Sequence, residues 1–318
     1  MDYRAVGASG LLVSALGLGT LTWGRDTDEE EARGQLRAFL DAGGTLVDTS
    51  PAFGDGAAEA LLGSLLGSFF GDDAARSQLT ICTRVGFLDN PSGPSYSVSR
   101  AGIERSLAAS LSRLAIETVD IAVAGGPDGV TPDEETALAL AGLVTRGKAR
   151  YIGVSGYEPW RVAAMQTMLR ERHLPPLTVV EEEYSLVERS VERSTLPMCE
   201  AMGIGVLATS ALGRGVLTGK YRHSIPATSR AASDHLAAFV APYLSEGPRR
   251  IVEAVAKAAD GLNWNPAEVA LGWILSTPVS AALVGARTAS QLTSLLGGTL
   301  ASGEELPDLV IEALNDIS

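Results

Sequence analysis

The chain has 318 residues, 46% of them hydrophobic, which is ample for one sizeable core and a usual length for a single α/β barrel domain spanning 1–318. Its net charge of −13 repels phosphate backbones and anionic lipid, so neither nucleic acid nor a membrane is an expected partner. Two cysteines, Cys82 and Cys199, are too few for a disulfide framework and read as reduced thiols of a cytoplasmic protein, while no apolar run approaches the roughly 18 residues of a membrane span.

In chain order, MDYRAVGASGLLVSALGLGT lacks the basic start and continuous apolar run of a signal peptide, and LVSALGLGT (12–20) reads as the first strand. TLVDTS (45–50) follows, then a helical AAEALLGSLLGSFF (57–70). LTICTRV (79–85) precedes the helical VSRAGIERSLAASLSRL (98–114), and VDIAVAG (119–125) precedes TPDEETALALAGLVTRG (131–147). The last of these opens with Thr131, Pro132 and Glu134, which predicts a capping box. ARYIGVSG (149–156), LTVVEEEYS (177–185), GIGVLATSA (203–211) and VSAALVGA (279–286) complete eight strands. Strands alternating with helices imply parallel pairing through right-handed crossovers, and eight such units predict a closed (β/α)8 barrel. The alternative, an open doubly wound sheet, would carry a Gly-rich fingerprint after its first strand, and GLGTLTWG does not fit G-x-G-x-x-G. Residues 212–245 form a long irregular stretch, read as a binding loop over the barrel mouth or as a surface insertion.

Function in such a barrel sits at the C-terminal strand tips. Taken together, MDYRAVGASGLLVSALGLGTLTWG, LVDTSPAFGDGAAEALLG, GKARYIGVSGYEPWRV, EEEYSLVER, GIGVLATSALGRGVLTGKY and LVGARTASQL resemble the aldo-keto reductases, with the bacterial and potassium-channel-β-like branch nearest. The resemblance covers almost the whole chain. It implies an N-terminal hairpin closing the barrel bottom, from Tyr3 to Ser14, and hydride transfer from NAD(P)H to a carbonyl. The family's catalytic tetrad is Asp, Tyr, Lys and His. The carbonyl oxygen becomes an alkoxide as hydride arrives and needs a proton, and a phenol supplies it only when a neighbouring cation lowers its pKa.

Carried over by position, Asp48 is the tetrad's Asp. Its Tyr falls on Phe53, its Lys on Arg84 and its His on Gly125. Phe53 cannot protonate an alkoxide, Gly125 has no imidazole, and Arg84 keeps the charge without being a proton source. An Asp48–Arg84 fork-like ion pair is expected. Carbonyl reduction by the usual route is therefore not expected to be efficient.

For the cofactor the resemblance implies Ser155 beside the nicotinamide amide, with Gly156 in place of the usual Asn or Arg. The sixth strand's Gln is Glu181, the stacking aromatic of the seventh is Thr209, and the Pro after it is Ala211. Thr22 and Trp23 fall just after the first strand; Trp23 either lines a pocket or closes the barrel mouth. The phosphate end is better kept. Ser210, Leu212, Gly213, Arg214 and Lys220 match the family's pyrophosphate loop. Gly285 and Arg287 precede a helix opening with Thr288 and Gln291, an arrangement suited to an anion, and Arg287 favours NADP(H). The Glu-Asn pair that reads adenine is Ser294-Leu295.

Glu181 and Glu183 alternate onto one strand face, so Glu181 is a candidate acid–base group against the plainer reading of a paired carboxylate. Tyr157 and Tyr184 are the nearest replacement phenols, each otherwise a packing residue. His173, His223 and His235 have no metal-site spacing, and His223 sits where it could reach a ligand. Three functions stay open: an NADP(H)-linked oxidoreductase with an altered centre, a lyase or isomerase acting on a small metabolite through Asp48 or Glu181, and a catalytically silent ligand-binding or regulatory protein. A small molecule is the expected partner, with homo-oligomerisation possible.

Overall fold

A computed structural model describes all residues except 72–75, 77, 89–94, 228 and 299–303. Eight parallel strands close into a barrel: β3 (Leu16–Gly19), β4 (Leu46–Thr49), β5 (Thr80–Val85), β8 (Val119–Ala124), β9 (Ala149–Ser155), β10 (Leu177–Glu183), β11 (Gly205–Thr209) and β12 (Ala281–Val284). Helices ring it, as the alternation of the sequence predicts. The run 12–20 is not one strand. It breaks at Ala15 into β2 (Leu12–Ser14), which pairs antiparallel with β1 (Tyr3–Ala5), and β3, which enters the barrel. The Ser14 hydroxyl drives the break: it donates to the Leu16 carbonyl and accepts from the Thr45 amide, drawing the chain across the barrel floor.

Period-2 alternation sorts the strands. One face of each builds the barrel interior, where Leu46, Cys82, Ile121, Val179, Leu207, Ala281 and Leu283 pack on Val6 and Val13 of the hairpin. The opposite faces pack against helices in a larger outer core that includes Leu18, Val47, Ile81, Ala122 and Val180. Interior positions two residues nearer the strand tips are Asp48 on β4, Arg84 on β5 and Glu181 on β10. The same alternation that fills the floor with apolar side chains thus stacks a charged layer above it. Gly17 is required by this packing, since a Cβ there would lie 2.5 Å from Leu283 Cδ2.

The helix Ala57–Phe70 has the bounds its sequence predicts, and Ser99 caps Arg100–Leu114 by accepting from the Gly102 amide. The capping box at Thr131 does not form. Thr131 instead spends its hydroxyl on Asp128 Oδ2 at 2.7 Å, and the helix Asp133–Thr145 starts after Pro132 without a side-chain cap. A true box stands at Asn265, whose partner is Glu268. The stretch 212–245 is more ordered than its sequence suggests: it carries short helical turns at Gly213–Thr218, Arg230–Ala232, Ala237–Val240 and Ala241–Leu244. Among the described residues, no helix is long and apolar enough to cross a membrane.

Candidate active site

Arg84 organises the centre. Its guanidinium reaches across the barrel interior: Nη2 donates to Glu181 Oε1, and Nη1 lies 3.5 Å from Asp48 Oδ2 and 3.4 Å from the Thr49 carbonyl. The expected Asp48–Arg84 fork is therefore a fork between two carboxylates on opposite walls. Asp48 and Glu181 are 4% and 0% exposed. Burial pushes both carboxyl groups up, Glu181 most, against the opposing pull of Arg84. The same burial disfavours the Arg84 charge, yet Asp48 and Glu181 outweigh it and hold the guanidinium protonated. Phe53, half-buried, covers this cation with its ring centroid 5.2 Å from Arg84 Cζ.

Gly125 follows β8, and its glycine has a local cause. A Cβ there would lie 3.1 Å from Phe87 Cε2 and 3.5 Å from the Tyr96 hydroxyl. Phe87 belongs to β6 (Phe87–Leu88) and Tyr96 to β7 (Ser95–Tyr96), a small antiparallel pair whose rings meet at 4.9 Å. The space beside β8 is filled by aromatic rings. Tyr96 and Tyr157 both donate to the Gly126 carbonyl, at 2.6 and 3.3 Å. Burial raises both phenols, Tyr157 to about 12, so neither is a ready acid. Tyr184 lies elsewhere, donating to Glu192 and packed edge-on against Trp273.

The remaining positions divide into two ends. At one, Ser155 closes β9, the Gly156 amide donates to Glu182 at 2.8 Å, and Thr209 closes β11. Glu181 is turned into the barrel, onto Arg84. Trp23 is fully buried, with its indole N–H donating to Gln35 at 2.9 Å. Thr22 is buried beside it, bonded to Thr27 and to the Ala286 carbonyl.

At the other end, Ser210, Leu212 and Gly213 form a tight turn, the Gly213 amide donating to the Ser210 carbonyl at 2.6 Å. Arg214 is committed inward: it pairs with Glu183 and lies between the rings of Phe239 and Tyr243, at 4.0 and 4.9 Å from their centroids. Beyond them Lys220, Arg230 and Arg287 gather about the tip of β12. A Cβ at Gly285 would lie 3.3 Å from Arg230 Nη2. Desolvation and the charges of Arg230 and Arg287 pull the Lys220 ammonium down to about 8; because Lys220 still reaches solvent, water screens part of this repulsion. Arg287 is 3.7 Å from Asp26, which also contacts His235 at 3.0 Å and Arg25 at 3.3 Å. Thr288 caps the helix Ala289–Leu296, and Gln291 Oε1 accepts from the Arg287 amide.

The sequence singles out neither Arg230, Asp26 nor Tyr96, and His235 only as a histidine without metal-site spacing. Arg230 carried one signal, a cation inside the stretch 212–245; His235 closes on Asp26, whereas His223 of the same stretch is exposed.

Charged side chains therefore stand at the strand tips of a (β/α)8 barrel, with three cations gathered beyond its last strands. The chain belongs to the aldo/keto reductase family, whose model matches residues 15–317. It is 36% identical over 299 residues to an L-glyceraldehyde 3-phosphate reductase of Escherichia coli strain K12, covering 92% of this chain and 86% of that one. An L-glyceraldehyde 3-phosphate reductase of E. coli O157:H7 is 35% identical over 97% of this chain and 91% of its own. The uncharacterized oxidoreductase YrpG of Bacillus subtilis strain 168 is 32% identical across 100% of this chain and 96% of its own.

Proposed function

We propose that this chain is an NADP(H)-linked oxidoreductase of the aldo/keto reductase family with a rebuilt proton-transfer centre. One observation carries the cofactor assignment: Lys220, Arg230 and Arg287 converge at the tip of β12, with Asp26 the acidic group at hand, and so favour an incoming anion. Lys220, Arg230 and Arg287 would hold the nucleotide phosphates, with the 2′-phosphate of NADP(H) suited to Arg287. The nicotinamide end fits less closely, since Ser155 stands there but Glu181 is engaged with Arg84 and Thr209 supplies no stacking ring.

When bound, the cofactor supplies a hydride. Phe53 shields the barrel interior from water and hands over no proton. Arg84, beneath that ring, places positive charge near an oxyanion and stabilises it without protonating it. The expected result is slow carbonyl reduction, with triose phosphate the first substrate class to try because two of the relatives are named for it.

Quenching or enhancement of NADPH fluorescence tests this reading. Wild type should bind, and Lys220→Met and Arg230→Met should each bind at least about tenfold more weakly, the worth of one charge-assisted phosphate contact. Absence of wild-type binding at millimolar NADPH overturns it. Binding without NADPH oxidation across aldehydes, ketones and quinones would favour the silent binding protein, for which Phe53 and Gly125 speak. A lyase or isomerase working through Glu181 would require Arg84 to move away first, because Glu181 is wholly enclosed.

A further inference from the structure

Two carboxyl groups meet one guanidinium inside the barrel, which leaves one negative charge over. Each carboxyl gives one oxygen to Arg84: Glu181 Oε1 accepts from Nη2, and Asp48 Oδ2 faces Nη1 at 3.5 Å. The other two oxygens, Glu181 Oε2 and Asp48 Oδ1, are buried and have no donor among the described residues. The two carboxyls also lie within hydrogen-bonding reach of each other. Were both ionised, two desolvated anions would abut with neither spare oxygen satisfied, an arrangement costly in a water-poor interior.

We propose that Asp48 and Glu181 share a single proton at neutral pH, carried on Glu181 Oε2 and directed at Asp48 Oδ1, so that Glu181 acts as a neutral positioning residue for Arg84. One proton satisfies both orphaned oxygens and brings the three-residue unit to zero net charge. Every neighbouring group agrees. From β5, Cys82 stays a neutral thiol, because burial pushes its pKa up; Asp120 on β8 is paired with Arg150; Glu182, next along β10, adds no positive charge. Among the described residues, Arg84 is the cation acting on the pair. Glu181 is wholly enclosed whereas Asp48 keeps a trace of exposure, so ionisation costs Glu181 more and the proton resides there. Neutral Glu181 then presents Arg84 with a carbonyl oxygen, as an amide would, and the guanidinium stays level beneath Phe53.

The sign of the pH dependence follows. An unfolded Glu loses its proton near pH 4.3, whereas the folded pair keeps it well above that. Over that interval the folded state binds more protons, so this contribution to stability is full at low pH and is lost as pH rises through the folded pKa.

Infrared difference spectroscopy on the whole protein tests the assignment. Wild type at pH 7 should show a protonated-carboxyl C=O band that shifts in D2O. Glu181→Gln should lose it, and so should Asp48→Asn, where Glu181 ionises against Arg84 alone. Thermal melts between pH 5 and 9 should show a wild-type decline that is shallower in Glu181→Gln, a difference that loss of packing alone would not produce. Absence of the band in wild type, its persistence in both variants, or equal pH slopes in wild type and Glu181→Gln would overturn the proposal. Should Glu181→Gln fail to fold, Asp48→Asn decides: loss of the band supports the shared proton, and persistence refutes it.

Discussion

The substitution Phe53→Tyr puts the proposed centre to its sharpest test. The ring already sits over the cation, 5.2 Å from Arg84 Cζ, so the change adds a hydroxyl to an existing arrangement. A unit charge at that distance, in an effective dielectric of about 20, is worth roughly 3 kcal/mol, or about two pKa units on a phenol. Asp48 lies on the same guanidinium at 3.5 Å and cancels part of this, leaving about one unit and a phenol near pKa 9. A positioned general acid gives about 10²–10⁴ in rate. With Gly125 supplying no imidazole, the low end applies, about 10²-fold over wild type. The assay is NADPH oxidation with triose phosphate and simple aldehydes, after fluorescence has confirmed equal cofactor affinity in both proteins. A Phe53→Tyr variant that binds NADPH like wild type yet turns over no faster would refute the placement of this ring at the reacting atoms. Brisk turnover by wild type would refute the premise that a phenol is what the site lacks.

Gly125→His should not restore the tetrad, because its Cβ would meet Phe87 at 3.1 Å; the strain should cost about 1–3 kcal/mol, seen as a lower Tm, and Phe87→Ala should relieve it. NADPH affinity should fall as pH rises through about 8, where Lys220 loses its charge, and the Kd of Lys220→Met should show no such step. His235→Ala removes the contact that ties 212–245 to Asp26, so amide exchange in that stretch should quicken and NADPH should leave faster, measured by stopped-flow displacement. Trp23→Ala should cost about 3–5 kcal/mol and leave the NADPH Kd of the remaining folded protein within about twofold, since the indole lies wholly in the core.

The barrel was legible because its determinants are local. Alternating apolar strands, amphipathic helices and glycine-rich turns repeat eight times, and each unit states its own structure. What stayed hidden depends on contacts distant in sequence. The break at Ala15 is set by Ser14 reaching Thr45. The capping box at Thr131 fails because Asp128 claims the hydroxyl first, while burial, which would raise the Asp128 pKa, is outweighed by bonds from Thr131, Val130 and Val98 that hold it at about 2. Trp23 occupies a position that a family pattern reads as a pocket, but Gln35 draws its indole N–H into the core. Arg230 lies beside the tip of β12 only because the stretch carrying it folds back there, a contact distant in sequence.

Read singly, Phe53, Arg84, Gly125 and Glu181 look like unrelated departures from the pattern the resemblance implies, but the geometry joins them. An arginine at 84 spans the barrel to the opposite wall, where a glutamate at 181 receives it. The planar guanidinium then offers a flat face that the unsubstituted ring at 53 covers. At 125, loss of a side chain admits the Phe87–Tyr96 pair. If the positions are coupled in this way, reverting Arg84 to Lys alone should be worse than either wild type or the paired change Arg84→Lys with Glu181→Gln. A lone lysine cannot span both carboxyls, and Glu181 is left enclosed without its donor. A double-mutant cycle on Tm should therefore give a coupling of about 1–3 kcal/mol between 84 and 181; strict additivity would show that the two positions do not act as one unit.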